Sequence, residues 1–334
     1  PVLSVRDLKV EFRTEGGVVK VVDGVDFDLY GNEVLGVVGE SGSGKSVTSL
    51  AILGLLPRTA TVSGEVRYRG TSLFDLDREG RRRLRGSKLA MVFQDALAAL
   101  NPVFTVGRQV EEAIAVHRRM PRAERRRLTI ELLETVGIPN PAARARQYPH
   151  EYSGGMRQRA MIAMAIANEP DVLIADEPTT ALDVTIQAQV LEVLGRIQQR
   201  TSSSILLITH DLGVVAGLAD RVMVMYAGRA VEIGSVDDIF YRSRHPYTAG
   251  LLASLPRVDG AGGGGARLHA IGGQPPSLVR VPPGCAFHPR CSVGELPDPC
   301  ATDVPALLAA GEEGHRSACH FRGEPGRIEK AAAR

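Results

Sequence analysis

Short, wholly apolar runs alternate along this chain with longer stretches whose apolar residues recur every three or four positions. Val34-Leu35-Gly36-Val37-Val38, Val172-Leu173-Ile174-Ala175 and Ser204-Ile205-Leu206-Leu207-Ile208 are such runs, the pattern of strands buried on both faces. The first is followed by a Gly/Ser loop and a helical pattern from about Lys45 to Leu55. Buried strands alternating with helices predict an α/β fold. The second and third runs end in polar residues, where a doubly wound sheet places its chemistry. Between about Asp95 and Glu151 the pattern is helical, as in Val110-Ala113-Ile114 and Leu128-Leu132-Leu133-Val136. No strand-like run interrupts it, which predicts a helical insertion. After about Tyr241 the chain becomes Pro/Gly-rich. The four consecutive glycines Gly262 to Gly265 predict a flexible linker or exposed loop, and Gly323 to Arg334 a frayed tail.

At 334 residues the chain exceeds what one hydrophobic core holds, so one large domain with an appended part is expected. No apolar run approaches membrane-spanning length, and no basic-then-apolar leader opens the sequence. Neither a spanning helix nor a signal peptide is therefore expected. A net charge of +2 argues against a general polyanion binder. The arginines at 118, 119, 122 and 125–127 are accordingly expected to form a solvated helix face. All four cysteines fall between Cys285 and Cys319, unlike a disulfide-stabilised secreted domain, so a reducing cytosol is the expected compartment.

Gly39-Glu40-Ser41-Gly42-Ser43-Gly44-Lys45-Ser46 fits the phosphate-loop pattern G-x-x-x-x-G-K-[ST], with a strand before it and a helix after it. The glycines let backbone N–H groups turn inward onto phosphate oxygens, and the helix N-terminus adds its positive dipole end. Lys45 is expected to reach the β- and γ-phosphates and the Ser46 hydroxyl to ligate Mg²⁺. The apolar run 172–175 ends in Asp176-Glu177. The first carboxylate is placed to hold the Mg²⁺ shell and the second to polarise an attacking water.

With these residues in place, Ser153-Gly154-Gly155 followed by Met156-Arg157-Gln158-Arg159 resembles the signature motif of ABC-type ATPases. Other motifs of that family appear in order. Phe12 matches the aromatic that stacks on adenine, and Gln94, after Met91-Val92-Phe93, matches the Q-loop. Ala181-Leu182-Asp183 matches the D-loop, and His210, after Ile208-Thr209, matches the switch histidine. Tyr152 and Met156 stand where the family usually has Leu and Gln. The resemblance covers about residues 3 to 240. It implies a RecA-like P-loop ATPase core (1–94 and 152–240), a helical subdomain (95–151) and a small Cys-containing C-terminal extension (241–334). It implies ATP and Mg²⁺ as ligands, with Glu177, His210 and Gln94 catalytic. Nucleotide contacts are implied for Phe12, Gly39, Ser41, Gly42, Ser43, Gly44, Lys45, Ser46, Val47 and Asp176, and from across a dimer for Ser153, Gly154, Gly155 and Asp183. Ser46, Gln94 and Asp176 are the implied Mg²⁺ residues.

The stretch from Tyr148 to Arg159 looks like the ATPase subunits of bacterial oligopeptide and dipeptide importers. His245-Pro246-Tyr247-Thr248 and the segment Pro282 to Cys291 resemble their C-terminal extension. The resemblance implies a second ATPase subunit, identical or similar, two transmembrane permease subunits and, indirectly, an extracytoplasmic solute-binding protein. Nucleic acid is not an expected partner, and the implied location is the cytoplasmic face of the cell membrane. The alternative is an ABC-type ATPase acting on nucleic acid or ribosomes. Such proteins usually carry two cassettes or a long coiled-coil insertion, whereas this chain has one phosphate loop and one signature. A non-enzymatic regulatory cassette is argued against by the intact Glu177.

The cysteine spacing is Cys285-x5-Cys291-x8-Cys300-x18-Cys319. Four thiolates can complete a tetrahedral zinc site or hold an iron–sulfur cluster. The close pairs of zinc knuckles are missing, and the wide spacing suits a cubane. In the importer subgroup such a segment is associated with a [4Fe–4S] cluster, with Zn²⁺ or ordinary thiols as alternatives and His288, His315 and His320 as nearby donors. The nucleotide motifs end at His210, so the cysteine segment is expected to be independent of ATP binding.

Overall fold

The computed structural model describes residues 1–180, 182–255 and 271–332. Ala181 and the Gly262–Gly265 stretch lie outside the described residues. The chain divides into two compact units: Pro1–Ser4, Asp28–Val34 and Glu65–Ile208 form one, and Val5–Phe27, Leu35–Gly64 and Thr209–Arg334 the other.

In the first unit the strands Leu89–Val92, Val172–Asp176 and Ser204–Thr209 run parallel, with Leu89 opposite Val172 and Val172 opposite Ser204. Every residue of the second and third is buried, which explains why both read as unbroken apolar runs. Asp95 to Glu151 contains only helical elements: Ala96–Ala99, Val106–Ala115, Arg122–Thr135, Pro141–Arg144 and the 3₁₀ turn Pro149–Glu151. Val110, Ile114, Leu133 and Val136 are fully buried, the apolar faces that the spacing predicts. Arg118 pairs with Glu169 at 3.2 Å, Arg127 with Glu131 at 3.5 Å and Arg125 with Glu111 at 3.8 Å. Arg119, Arg122, Arg126 and Arg127 are exposed, as expected of a solvated face, whereas Arg118 and Arg125 are half-buried.

In the second unit the strand Val34–Val38 pairs in parallel with Arg221–Tyr226, which pairs antiparallel with Arg229–Ser235. The C-terminal segment adds two short strands: Arg316–Ser317 pairs with Arg229–Ser235, and Leu308–Ala309 pairs with Arg316–Ser317. The helix after the phosphate loop runs Lys45–Ile52, three residues shorter than its apolar pattern suggests. Val38, Val215, Val222, Val224, Tyr226 and Ile239 share a core with Tyr247 and Phe287. The Pro/Gly-rich segment therefore supplies two of the core's large rings.

Two of its features were not expected. Pro246–Ala253 is a helix, started by Pro246 and capped by His245, whose Nδ1 accepts from Tyr247 N–H at 3.1 Å. Instead of a frayed tail, Pro325–Ala332 is also a helix. An eight-residue helix is marginal alone. Here Ile328 is buried against Ala249 and Cys319, and Arg327 pairs with Glu295 at 2.6 Å. Tertiary contacts hold an element that local sequence does not announce. Among the described residues, no helix is long and apolar enough to cross a membrane.

Candidate functional site

The phosphate-loop sequence forms a tight turn between the buried strand Val34–Val38 and the helix Lys45–Ile52. Gly39 has φ 154°, and a Cβ there would lie 2.2 Å from the Met225 carbonyl oxygen. Gly44 caps the helix at φ 98°, and a Cβ there would meet the Val21 carbonyl oxygen at 2.6 Å. Both positions thus require glycine on conformational and steric grounds. Lys45 is only 5% exposed. Its Nζ donates to the Gly39 carbonyl at 2.8 Å, the Glu40 carbonyl at 2.9 Å and Ser43 Oγ at 3.3 Å. The ammonium is folded back over its own loop, which offsets the cost of burying the charge. Ser41 and Gly42 are exposed, and Ser46 and Val47 are half-buried in the first helical turn.

In the other unit, Asp176 ends its strand and is buried. Glu177 follows at φ 45°, in the left-handed region that costs a non-glycine residue about 1 kcal/mol or more. Its backbone N–H donates to the Ile208 carbonyl at 2.8 Å. Its Oε2 accepts from Gln94 Nε2 at 2.9 Å and from Thr180 Oγ1 at 2.7 Å. The structure thus joins Gln94 to Glu177, residues 83 apart in sequence. Thr180 is a partner that sequence reading missed, although it stands three residues after Glu177.

Ser153 caps the helix Gly154–Ile166, its side chain accepting from Met156 N–H at 3.3 Å. Ser153 and Gly154 are exposed, while Gly155 is buried where a Cβ would lie 2.4 Å from Ile186 Cγ2. Tyr152, in place of the usual Leu, is buried and donates its hydroxyl to the Arg144 carbonyl at 3.0 Å. Asp183 caps the helix Val184–Thr201 by accepting from Ile186 N–H at 3.0 Å. Phe12 is half-buried on the strand Leu3–Thr14, and His210 is exposed just past the strand Ser204–Thr209.

The second unit also brings the C-terminal segment onto the phosphate loop. Tyr247 Oη accepts from Glu40 N–H at 2.8 Å, and Arg290 donates to both Glu40 carboxylate oxygens at 2.6 and 2.9 Å. The hydrogen-bonded carboxylate pushes the guanidinium pKa up. Arg290 lies on the 3₁₀ turn His288–Arg290, between Cys285 and Cys291. The C-terminal segment is therefore hydrogen-bonded to the phosphate loop, a contact that the order of the motifs does not suggest. Tyr247 and Arg290 stand inside the two motifs that marked the extension, but nothing local in either motif points to Glu40.

The four cysteines are free thiols. Burial pushes Cys285 up to about 11 and Cys319 up to about 12, and pushes Cys291 up as well. The charges of the other three cysteines add to the rise at Cys319. The sulfurs thus lie within electrostatic reach of one another. Among the described residues, however, no three His, Cys, Asp or Glu side chains form a group that could hold a metal ion. The alternative histidine donors are engaged elsewhere: His288 with the Cys285 carbonyl at 2.9 Å, His315 with Glu232 at 2.8 Å, and His320 with the Asp303 carbonyl at 3.0 Å. The expected iron–sulfur or zinc ligand set is not assembled in this geometry.

Residues 22–180 match the ABC transporter family, and residues 231–295 match the oligopeptide/dipeptide transporter C-terminal region. The oligopeptide transport ATP-binding protein OppD of Mycobacterium tuberculosis is 52% identical over 320 residues, covering 96% of this chain and 52% of that protein. The chain thus spans about half the length of that relative. The dipeptide transport ATP-binding protein DppD of Bacillus subtilis is 54% identical over 292 residues, covering 87% of this chain and 86% of that protein. Among solved structures, the ATP-binding cassette MJ0796, a dimer in a post-hydrolysis state bound to ADP and phosphate, aligns with TM-score 0.64 and 26% identity. That alignment covers 70% of this chain and 98% of that one. CbiO1 from Clostridium perfringens, part of an ABC transporter complex, aligns with TM-score 0.62 and 29% identity over 72% of this chain and 91% of that one. The α/β core is that of an ABC ATPase cassette, and the chain belongs to the family of ABC transporter ATP-binding proteins that carry the oligopeptide/dipeptide C-terminal region.

Proposed function

We propose that this chain is the ATP-hydrolysing subunit of an ABC importer that couples ATP binding and hydrolysis to uptake of peptides or a related solute. The observation that carries this reading is the phosphate loop itself, with Gly39 and Gly44 in conformations only glycine takes easily and the buried Lys45 ammonium drawn over the loop. The peptide-transport names of its relatives support the substrate class.

The residue roles form part of the proposal. The loop amides of Gly39 and of Ser41 to Val47, with the Lys45 ammonium, neutralise the phosphates, and Phe12 stacks on adenine. Ser46, Gln94 and Asp176 offer a hydroxyl, an amide and a carboxylate, the oxygen donors that Mg²⁺ takes. Bound Mg²⁺ supplies charge neutralisation at the phosphates. Glu177 orients the attacking water and His210 contacts the γ-phosphate. The exposed Ser153 and Gly154, with Gly155 and Asp183, meet the nucleotide of a second ATPase subunit. We further propose the division into a core (1–94 and 152–240), a helical subdomain (95–151) and an extension (241–334). The complex includes two permease subunits and an extracytoplasmic solute-binding protein, with this chain peripheral on the cytoplasmic face.

At the cysteines the finer reading is a [4Fe–4S] cluster, with zinc as the alternative. Its support is that all four cysteines of the chain lie between Cys285 and Cys319, with the other three acting electrostatically on Cys319. Closing them on a metal requires the sulfurs to move and lose protons. Iron and zinc analysis of protein purified without oxygen tests it: about four irons per chain is expected, one zinc replaces the cluster, and neither metal leaves ordinary thiols.

The transport reading is tested by affinity purification of the tagged chain from detergent-solubilised membranes of its own cells. Mass spectrometry is expected to find two polytopic permeases in stoichiometric amounts, with Mg²⁺-dependent ATPase activity in the complex. Recovery with ribosomes or nucleic acid and no permease would replace this reading with the alternative one.

A further inference from the structure

Glu40, the second residue of the phosphate loop, is engaged at every polar group it has. Its N–H donates to Tyr247 Oη, its carboxylate accepts both Arg290 Nη groups, and its carbonyl accepts from Lys45 Nζ. An N–H that bonds Tyr247 does not serve a phosphate, so Glu40 is an anchor of the loop. The anchor is stiff. The Arg290 side chain is only 5% exposed, and its bidentate fork is the strong geometry for a carboxylate. Arg290 also donates through Nε to the Gly272 carbonyl at 3.0 Å and through Nη1 to Tyr226 Oη at 3.3 Å. Its guanidinium lies 5.8 Å from the Tyr226 ring and 5.9 Å from the Phe287 ring. Tyr226, Tyr247 and Phe287 pack on one another with centroids 4.6 to 5.4 Å apart. Tyr226 follows Met225, whose carbonyl sits against Gly39.

We propose that Arg290 and Tyr247 are positioning residues for nucleotide binding. Through Glu40 they set the phosphate loop and the Lys45 ammonium, so the C-terminal extension tunes ATP affinity. This rests on the phosphate-loop role proposed above and adds two residues from beyond the matched ATPase region. The coupling runs through one amino acid. Releasing the Glu40 backbone or carboxylate frees the carbonyl that helps hold Lys45 Nζ, and the loop must then be ordered by the nucleotide at the nucleotide's expense.

The test uses the full chain and Mg·ATP, with affinity read by calorimetry, KM and kcat by steady-state hydrolysis, and stability by melting without nucleotide. Tyr247→Phe keeps the ring and removes only the hydroxyl that accepts from Glu40 N–H. It is expected to weaken ATP binding and raise KM about 3- to 10-fold with kcat and apo melting little changed. Arg290→Met is expected to weaken binding at least as much. Arg290→Lys, which keeps the charge and loses the fork, is expected to fall between Arg290→Met and the parent. Adding Glu40→Gln to Arg290→Met is expected to cost little more, because the two residues act as one unit. The proposal is overturned if Tyr247→Phe and Arg290→Lys bind Mg·ATP as the parent does, or if affinity falls only in step with apo stability. A parent that binds no nucleotide would sink the phosphate-loop reading as well, whereas a parent that binds while its variants bind equally sinks this inference alone.

Discussion

Gln94 Nε2 donates to Glu177 Oε2 across 2.9 Å, tying the second residue past one strand of the first unit to the residue after its neighbour. Thr180 Oγ1 donates to the same oxygen at 2.7 Å, and Thr180 N–H donates to the Glu177 carbonyl at 3.2 Å. Together with the left-handed backbone at Glu177, these bonds give the carboxylate a direction that its position in sequence does not imply. Strained residues held in this way cluster at functional sites.

Glu177→Gln is expected to leave ATP binding within about threefold of the parent and to lower turnover about 10²- to 10⁴-fold, the range for a positioned general base. The glutamine can still accept from Gln94, so geometry survives while basicity is lost. Hydrolysis within threefold of the parent, measured as phosphate release, would remove Glu177 from its proposed role.

Thr180→Val removes a donor from Oε2 without changing side-chain shape. Turnover is expected to drop about 5- to 10-fold with ATP affinity unchanged, consistent with one lost hydrogen bond to a charged group. Thr180→Ser is expected to recover most of it. An equal loss in both variants would point to packing instead.

Lys45→Ala removes a cation that acts on the phosphates in ground and transition states alike. It also removes the three bonds that draw Gly39, Glu40 and Ser43 together. ATP affinity is therefore expected to fall by at least about tenfold, beyond the worth of a single hydrogen bond. Calorimetry with Mg²⁺ showing an unchanged dissociation constant would contradict the phosphate-loop assignment.

His245 gives a pH signature. Full burial pushes its pKa down from 6.5 to about 3. Between those values the unfolded chain holds a proton that the folded chain does not, so stability is complete above about pH 6.5 and falls as pH falls toward 3. The contribution is up to about 1.4 kcal/mol per pH unit, roughly 1–2 kcal/mol between pH 6.5 and 5. His245→Asn keeps an N-cap acceptor and removes the titration. Its melting temperature is expected to fall less than the parent's over that interval. Parallel curves would show that His245 does not carry the effect.

Much of the first unit's sheet was legible because strands buried on both faces need unbroken apolar runs. Residues 172–175 and 204–208 show this directly. The phosphate loop was legible because its chemistry demands particular residues at adjacent positions. Local pattern alone fell short in the C-terminal segment. Pro325–Ala332 becomes a helix through the burial of Ile328, and Pro246–Ala253 starts from a cap and a proline inside a stretch dominated by loop-forming residues. The cysteine spacing suggested a metal site, yet the nearby histidines bond to carbonyls and to Glu232.

The sequence by itself determined the α/β class, the loop and the order of the motifs, because each depends on residues near one another along the chain. Only the tertiary structure decided that Thr180 and Gln94 share one oxygen of Glu177. Only it decided that Arg290 reaches back 250 residues to Glu40. A hydrogen bond is specific to a few tenths of an ångström, and distant residues come that close only when packed elements carry them there. Local periodicity holds no record of that approach.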